Sequence, residues 1–330
     1  MPLFDTIITV TLNPAIDRIM EIAGFQVGGH QRGETVARVP AGKGVNLARA
    51  LSELGVASIA TGFVGRLQLE EYETSFRDSL VQPQFLAVDG RTRENVTVID
   101  PTSATETHLR DKGLSPTPAD FGRLRNKINL LAKPDRLFVF SGSLPTGMQT
   151  SHVVELADIV LSKGANVAVD GPGDLLAALR DRNLWLIKPN REELTAMNGG
   201  SIERRNERDP IGEDEIRRIA CPLTANVDVV IVSCAAAGGY LFSKLSSLRG
   251  RVEFDPARVR SSVGCGDCLL AAFIAAQNRG DAVESAYRYA LSVATAASYE
   301  VVPGRFDPAV IDDLQTKVVV VRLEGTPPPA

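Results

Sequence analysis

The sequence lacks several features that would each indicate a particular class of protein. Four cysteines in 330 residues do not make the disulfide framework of a small secreted domain. No apolar stretch reaches the ~20 residues that a membrane-spanning helix needs. The first apolar run, residues 7–12, contains two threonines and is typical of a strand rather than a signal peptide. The net charge of −4 argues against general binding to nucleic acid or membranes, which requires a basic face. We therefore expect a cytoplasmic protein that binds neither.

Short apolar runs alternate with helical patterns along most of the chain. The candidate strands are rich in Val and Ile, as strands buried on both faces are; they are residues 5–12, 56–64, 136–140, 166–170, 184–187 and 227–233. Helical patterns lie between them, at residues 45–54, 119–132 and 152–162. This alternation predicts an α/β fold in which helices cover a mostly parallel sheet.

A few segments depart from the alternation. Residues 20–39 and 85–110 contain more polar, alternating strands, which predict a small second sheet inserted into the α/β core. Residues 199–214 are dense in charge and are expected to form a solvated loop. The tail 325–330 contains three consecutive prolines and is expected to be disordered.

The segment with the strongest chemical pattern is residues 262–273. Gly264 and Gly266 flank Cys265, and Asp267 then opens an apolar helix. Glycines at a helix start allow backbone N–H groups to converge on an anion. A carboxylate there would repel a phosphate, but it is useful if it accepts a proton from an attacking hydroxyl. The alternative interpretation is that Asp267 only complements the helix dipole.

Three further motifs each allow two interpretations. The first motif opens a helix with Gly42, Lys43, Gly44 and Asn46. It could form a pocket for a polar or anionic substrate, or a turn that carries a surface lysine. Its spacing is not that of a Walker P-loop. Asp17 follows the first strand, where sugar hydroxyls could be bound or where Asn-Pro simply makes a turn.

The third motif begins with Lys188 at the end of a strand. Asn190 and Glu193 follow at i, i+3 spacing. Their oxygen atoms suit a water-rich Mg²⁺ shell, but the same residues could form an N-cap with an acidic first turn.

Together with Ser-Gly-Ser-Leu-Pro at residues 141–145, these motifs occur in one order over about residues 7–305. In this the chain resembles the phosphofructokinase-B-type carbohydrate kinases of the ribokinase-like superfamily. Its Thr-Leu-Asn-Pro-Ala-Ile-Asp motif at residues 11–17 resembles the branch that acts on phosphorylated ketohexoses, 1-phosphofructokinase and tagatose-6-phosphate kinase. The resemblance implies one three-layer α/β/α domain over residues 1–330, with a β-sheet lid from segments of roughly 14–40 and 85–110. The lid is expected to form a homodimer interface.

The resemblance also implies roles for individual residues. Asp267 corresponds to the catalytic base, and the phosphoryl anion hole corresponds to Gly264, Cys265 and Gly266. The sugar-binding positions correspond to Asp17, Gly42, Lys43 and Asn46. Arg93 is expected to hold the substrate's existing phosphate, because a guanidinium fork matches phosphate oxygens, with Ser143 and Arg32 beside it. The ATP-binding positions correspond to Lys188, Asn190, Ser233, Ala235 and Gly238, and the Mg²⁺-linked element to Asn190 and Glu193.

The implied reaction is transfer of the ATP γ-phosphoryl group to a phosphorylated ketohexose, with ATP and Mg²⁺ as cofactors. Fructose 1-phosphate, giving fructose 1,6-bisphosphate, is the first expectation and tagatose 6-phosphate the alternative. A kinase for an unphosphorylated sugar or nucleoside, and a non-catalytic sugar-phosphate sensor, are the other readings.

Two departures from the family pattern bear on the site. Cys265 replaces an alanine and forms C-x-x-C with Cys268, a spacing also found in redox and zinc motifs. Because a helix N-terminus lowers a thiol's pKa, we hypothesise that Cys265 is sensitive to oxidation. Ala235 stands where the family has glycine, at a cost on the order of 1 kcal/mol if the position needs a positive φ.

Overall fold

The computed structural model describes residues 2–200 and 211–324. The predicted α/β alternation is confirmed. The strands in these residues are β1 (Thr6–Thr11), β2 (Ala15–Glu21), β3 (Glu34–Ala41), β4 (Ser58–Gly65), β5 (Val81–Val88), β6 (Arg93–Asp100), β7 (Thr105–Leu109), β8 (Arg136–Ser141), β9 (Asn166–Asp170), β10 (Leu184–Ile187), β11 (Val227–Ser233), β12 (Gly239–Ser243), β13 (Ser247–Val252) and β14 (Val318–Arg322).

The helices alternate with these strands. In the same described residues they are α1 (Lys43–Glu53), α2 (Leu69–Ser75), α3 (Pro118–Leu131), α4 (Thr150–Ser162), α5 (Gly173–Leu179), α6 (Arg191–Met197), α7 (Glu213–Ala220), α8 (Cys265–Asn278), α9 (Val283–Ala297) and α10 (Pro308–Thr316). No helix among the described residues combines the length and apolar character needed to span a membrane.

The large sheet has the strand order β14-β13-β12-β11-β10-β9-β8-β1-β4-β5. Neighbouring strands from β11 through β5 in this order pair in parallel, whereas β11 to β14 pair antiparallel. Successive side chains point to opposite faces of a strand, so Ile7 packs into one core cluster and Ile8 into the other. Helices α1, α8 and α9 supply the first cluster, and α3, α4 and α5 supply the second. This is the expected three-layer arrangement.

The small sheet has the order β3-β2-β6-β7, with β2 and β6 parallel and the other pairs antiparallel. It confirms the prediction of a second sheet, but the predicted start of its second segment near residue 85 is wrong. Residues 85–88 belong to β5 and pair with β4 in the large sheet, because Phe85 and Val88 of this run pack into the core clusters that flank that sheet. Where β2 and β3 meet, the buried hydroxyl of Tyr72 lies 2.6 Å from the Ala15 carbonyl oxygen and 2.9 Å from that of Ala41.

The expected disordered tail and most of the expected charged loop fall on residues that the structure does not describe. The tail 325–330 and residues 201–210 of the charged segment both lie outside the described residues. At the end of that segment, Glu213 and Asp214 belong to α7 rather than to a loop. Acidic residues are favoured in a helix's first turn by the helix dipole.

Candidate active site

The predicted site residues follow strands that end at one edge of the large sheet. Thr11, Ser141 and Asp170 are the last residues of β1, β8 and β9 and are register partners. Lys188 follows the end of β10 directly. Because open α/β sheets bind ligands outside the carboxyl ends of their strands, this edge is the candidate site.

Asp267 lies in the first turn of α8 with only 5% of its surface exposed. The Asn46 side-chain Nδ2 donates a hydrogen bond of 2.8 Å to its Oδ2 atom. Burial, and secondly the charge of Asp170, raise the pKa of Asp267 to about 7. Lys43, Asn46 and Lys188 oppose this rise. The carboxyl group therefore exchanges its proton near neutral pH, which suits an acid–base group.

The start of α8 leaves backbone N–H groups free of side-chain caps. Its N-cap is Gly264, whose φ of 82° is left-handed. A Cβ at Gly264 would lie 2.9 Å from Pro303, and one at Gly266 would lie 3.3 Å from the Lys188 Nζ. Glycine at Gly266 therefore allows the buried Lys188 ammonium to approach the helix N-terminus. Uncapped N–H groups and a cation together favour an anion.

Asp170 also belongs to the site, although no sequence motif marks it. Its buried carboxylate lies between two lysines, with Oδ1 2.8 Å from the Lys43 Nζ and Oδ2 3.2 Å from the Lys188 Nζ. Burial would raise the pKa of Asp170, but Lys188 and Lys43 outweigh it and the net shift is downward. Its position as the last residue of the predicted strand 166–170 was the available signal.

Arg49 is a second such residue, one turn after Asn46 on α1. The Arg49 Nη1 lies 3.4 Å from the Asn46 Oδ1 and donates to the Pro303 carbonyl at 2.7 Å. Because its oxygen faces Arg49, the Asn46 amide presents its NH₂ group to Asp267. The i, i+3 spacing on a helix was the signal for this pair.

The predicted sugar-side residues Asp17 and Arg93 lie on neighbouring strands β2 and β6. Asp17 accepts a 2.9 Å hydrogen bond from the Asn95 Nδ2, and burial raises its pKa although Asn95 and Arg93 oppose the shift. The Arg93 guanidinium donates to three backbone carbonyls, those of Pro14, Asp111 and Asn13. Since an arginine has five N–H donors, these bonds leave two for a ligand.

Ser143 and Arg32 differ in their relation to this region. The Asn13 Nδ2 donates a 3.2 Å hydrogen bond to the Ser143 Oγ. Ser143 therefore contacts the loop whose carbonyl oxygens accept hydrogen bonds from Arg93. Arg32 is exposed between β2 and β3. Within residues 2–200 and 211–324, no hydrogen bond or ion pair of Arg32 connects it to the other site residues.

Asn190 and Glu193 form a reciprocal N-cap of α6. Asn190 Oδ1 accepts from the Glu193 N–H at 2.7 Å, and Glu193 Oε2 accepts from the Asn190 N–H at 2.8 Å. The other carboxylate oxygen, Glu193 Oε1, lies 3.6 Å from the Lys43 Nζ. In the part of the chain that the structure describes, no cluster of three His, Cys, Asp or Glu residues could hold a metal. The donor set fits a Mg²⁺ ion that keeps water and phosphate ligands.

The predicted nucleotide loop contains a strained residue. Ala235 has a φ of 48°, in the left-handed region that costs an alanine roughly 1–2 kcal/mol. Nearby, Ser233 forms an isolated parallel bridge with Asn190, so the loop lies beside the start of α6. Gly238 has a φ of 86°, and a Cβ there would lie 2.0 Å from the Gly250 carbonyl oxygen.

The premise of the oxidation hypothesis, a thiol pKa of Cys265 lowered by the helix N-terminus, is contradicted. Burial, followed by the charges of Asp267 and Glu106, raises the pKa of the Cys265 thiol to about 12. The helix dipole was the basis of the hypothesis, but desolvation and two carboxylates outweigh it. Cys268 is buried, and its thiol pKa is also raised by burial.

Comparisons with known proteins agree with this fold. The model of the pfkB family of carbohydrate kinases matches residues 10–300. A 1-phosphofructokinase of Bacillus subtilis is 30% identical over 317 residues, 96% of this chain and 100% of that protein. The structure of a possible 1-phosphofructokinase from Thermotoga maritima has a TM-score of 0.83 at 26% identity, covering 97% of this chain and 100% of that one. Phosphofructokinase-2 from Escherichia coli in complex with fructose-6-phosphate has a TM-score of 0.82 at 22% identity, covering 96% and 99%.

Replacing Ala235 by glycine should stabilise the protein. Glycine adopts a positive φ without steric cost, so Ala235→Gly should raise the free energy of unfolding by roughly 0.5–1 kcal/mol after its greater unfolded-state entropy is subtracted. Chemical denaturation measures the change. The neighbouring Ala236→Gly is the control and should lower the free energy of unfolding; equal losses in both variants would contradict the strain.

Alkylation should be slow at Cys265. A pKa of about 12 instead of 9.0 leaves roughly a thousandfold less thiolate near neutral pH. Mass spectrometry of the native protein treated with iodoacetamide at pH 8 measures the rate at this position. The guanidinium-unfolded chain serves as the control and should react rapidly. A native rate equal to the unfolded rate would show that the thiol is not suppressed.

Proposed function

The chain belongs to the pfkB family of carbohydrate kinases, and from this premise we propose that it transfers the γ-phosphoryl group of ATP to a hydroxyl of a phosphorylated ketohexose. The observation that carries the proposal is the buried Asp267 carboxyl, held by Asn46 at the uncapped start of α8. A proton acceptor and an anion-binding helix end thus lie within one turn. Phosphoryl transfer to a hydroxyl needs both.

In the proposed mechanism Asp267 accepts the proton of the attacking sugar hydroxyl. Asn46 fixes the carboxylate, and Arg49 fixes the orientation of the Asn46 amide. The N–H groups of residues 264–266 offset the charge on the transferring group, as preorganised donors do. Lys188, beside Gly266, adds a positive charge at the same place.

The nucleotide is proposed to lie over α6 and the loop after β11. Lys188 approaches its phosphates, while Asn190, Ser233, Ala235 and Gly238 line its path. Mg²⁺, when bound with ATP, would supply charge neutralisation for the phosphates, with Asn190 and Glu193 next to its water shell. Asp170 holds Lys43 and Lys188 by ion pairs and so fixes Lys188 for the nucleotide phosphates and Lys43 for the sugar.

The sugar phosphate is proposed to lie under the small sheet. Asp17 and Lys43 contact its hydroxyls, Gly42 allows close approach, and Arg93 with Ser143 and Arg32 binds its existing phosphate. The relatives named 1-phosphofructokinase support fructose 1-phosphate, giving fructose 1,6-bisphosphate; tagatose 6-phosphate is the alternative. We propose that the small sheet, with Val36 and Leu109 exposed, acts as a lid and a homodimer interface in a cytoplasmic enzyme.

A kinase for an unphosphorylated acceptor is the second candidate. It is favoured by the three Arg93 hydrogen bonds to backbone carbonyls, which are sufficient to explain the residue without a phosphate. A ligand phosphate would have to share the guanidinium with this loop. The acceptor therefore has to be identified by experiment.

The substitution Asp267→Asn should abolish turnover, because the amide cannot take the hydroxyl proton. ADP release with Mg·ATP would be measured on fructose 1-phosphate, fructose 6-phosphate, tagatose 6-phosphate, fructose, ribose and adenosine, with an expected loss of about 10²–10⁴-fold on the accepted sugar. Since burial raises the pKa of Asp267 to about 7 and the base must be ionised, wild-type kcat/KM should fall as pH decreases below that value.

The control for this experiment is Asp312→Asn, an exposed aspartate of α10, which should keep wild-type turnover. Turnover of one phosphorylated ketose names the substrate. Turnover of unphosphorylated acceptors alone would favour the second candidate. ATP-independent binding of a sugar phosphate with no turnover across the panel would instead indicate a sensor. An active Asp267→Asn variant would contradict the assignment of the base.

Replacing Arg93 by alanine should raise the KM for the phosphorylated sugar at least about tenfold, because a charge-assisted contact to phosphate is lost. The KM for ATP is the internal control and should stay within about twofold of wild type. Thermal unfolding of the variant would detect damage to the loop whose carbonyls Arg93 binds. An unchanged sugar KM in a folded variant would exclude the phosphate contact.

A further inference from the structure

A carboxylate of the small sheet contacts the loop that leads into α8. The Glu106 side chain on β7 accepts from the Ser262 N–H at 3.1 Å through Oε1 and at 3.2 Å through Oε2. Its Oε2 also accepts from the Ser262 Oγ at 2.6 Å. Hydrogen bonds to an ionised acceptor are stronger than those between neutral groups. One side chain thus binds both donors of a serine that is 156 residues away in sequence.

The loop is held from two sides. On the core side, the Arg260 and Ser261 N–H groups donate to the Ser298 carbonyl at 2.8 and 3.2 Å. On the side of the small sheet, Glu106 binds Ser262, and the Arg260 Nη2 lies 4.0 Å from the Glu21 Oε1. Two residues after Ser262, the chain takes the left-handed turn at Gly264. The direction in which the next N–H groups point depends on how the chain enters that turn.

The small sheet also carries the sugar-side residues. Asp17 lies on β2, and Arg93 lies on β6, the strand that pairs with β7. A displacement of β7 would therefore affect the sugar-side strands and, through Glu106, the start of α8. On the basis of the proposed function, we propose that Glu106 is a positioning residue. It fixes the Ser262 loop while the small sheet packs against that loop, so that the N–H groups of residues 264–266 face the transferring phosphoryl group.

The first test uses steady-state kinetics. Glu106→Ala should lower kcat about tenfold or more, because misplaced donors lose transition-state stabilisation, while KM for ATP stays within about twofold. Glu106→Gln keeps an acceptor for Ser262 and should recover most of kcat. Glu34→Ala, an exposed glutamate at the start of β3, is the matched control and should behave as wild type. A loss of kcat as large in Glu106→Gln as in Glu106→Ala would overturn the proposal.

A double-mutant cycle tests whether Glu106 acts through Ser262. Adding Glu106→Ala to Ser262→Ala should reduce kcat by a smaller factor than Glu106→Ala alone, because interacting residues are not additive. Full additivity would contradict the part of the route that runs through the Ser262 hydroxyl, since Ser262→Ala keeps the backbone N–H that also binds Glu106.

Hydrogen exchange provides a readout that does not need turnover. Peptides covering residues 259–266 should exchange faster in Glu106→Ala than in wild type or Glu34→Ala. Unchanged exchange would overturn the contact itself. Faster exchange in a protein whose wild type turns over none of the tested acceptors would support the contact and count against the proposed acceptor, which separates failure of the contact from failure of the proposed function.

Discussion

The buried carboxylate of Asp170 between Lys43 and Lys188 is the interaction on which the rest of the site depends. Isolated charges are costly to bury, so the buried Asp170 and Lys188 require oppositely charged partners, and the partly exposed Lys43 adds a second cation to the pair. The ion pairs join the end of β9, the start of α1 and the end of β10. They also keep a negative charge next to Asp267, which contributes to its raised pKa. The same carboxylate therefore fixes the positions of Lys43 and Lys188 and raises the pKa of Asp267.

The fold was largely predictable because its signals are local. The strands 166–170, 184–187 and 227–233 have the predicted bounds, since short Val- and Ile-rich runs buried on both faces leave little ambiguity. The limits of the small sheet were less accurate: β5 is an edge strand of the large sheet, and its sequence has the mixed polarity that also marks a lid strand.

The site was predictable only where a motif lies close in sequence. Asn190 and Glu193 were given two interpretations, and the structure contains the N-cap; the Mg²⁺ interpretation stays a prediction. Asp170 and Glu106 could not be found from spacing, because their partners are distant in sequence. The direction of the pKa shift of the Cys265 thiol was misjudged. A helix N-terminus can be recognised in a sequence, whereas desolvation by distant segments cannot.

The Asn46–Asp267 hydrogen bond joins residues 221 positions apart, and this has a consequence for biosynthesis. A ribosome that adds about 5–20 residues per second produces β1 and its neighbours β4 and β8 long before α8 exists. The central strands can pair early, yet Asn46 has no carboxylate partner until residue 267 has left the exit tunnel. Under the proposed function, an unfinished chain that ends before residue 267 lacks the proposed proton acceptor and should not turn over nucleotide.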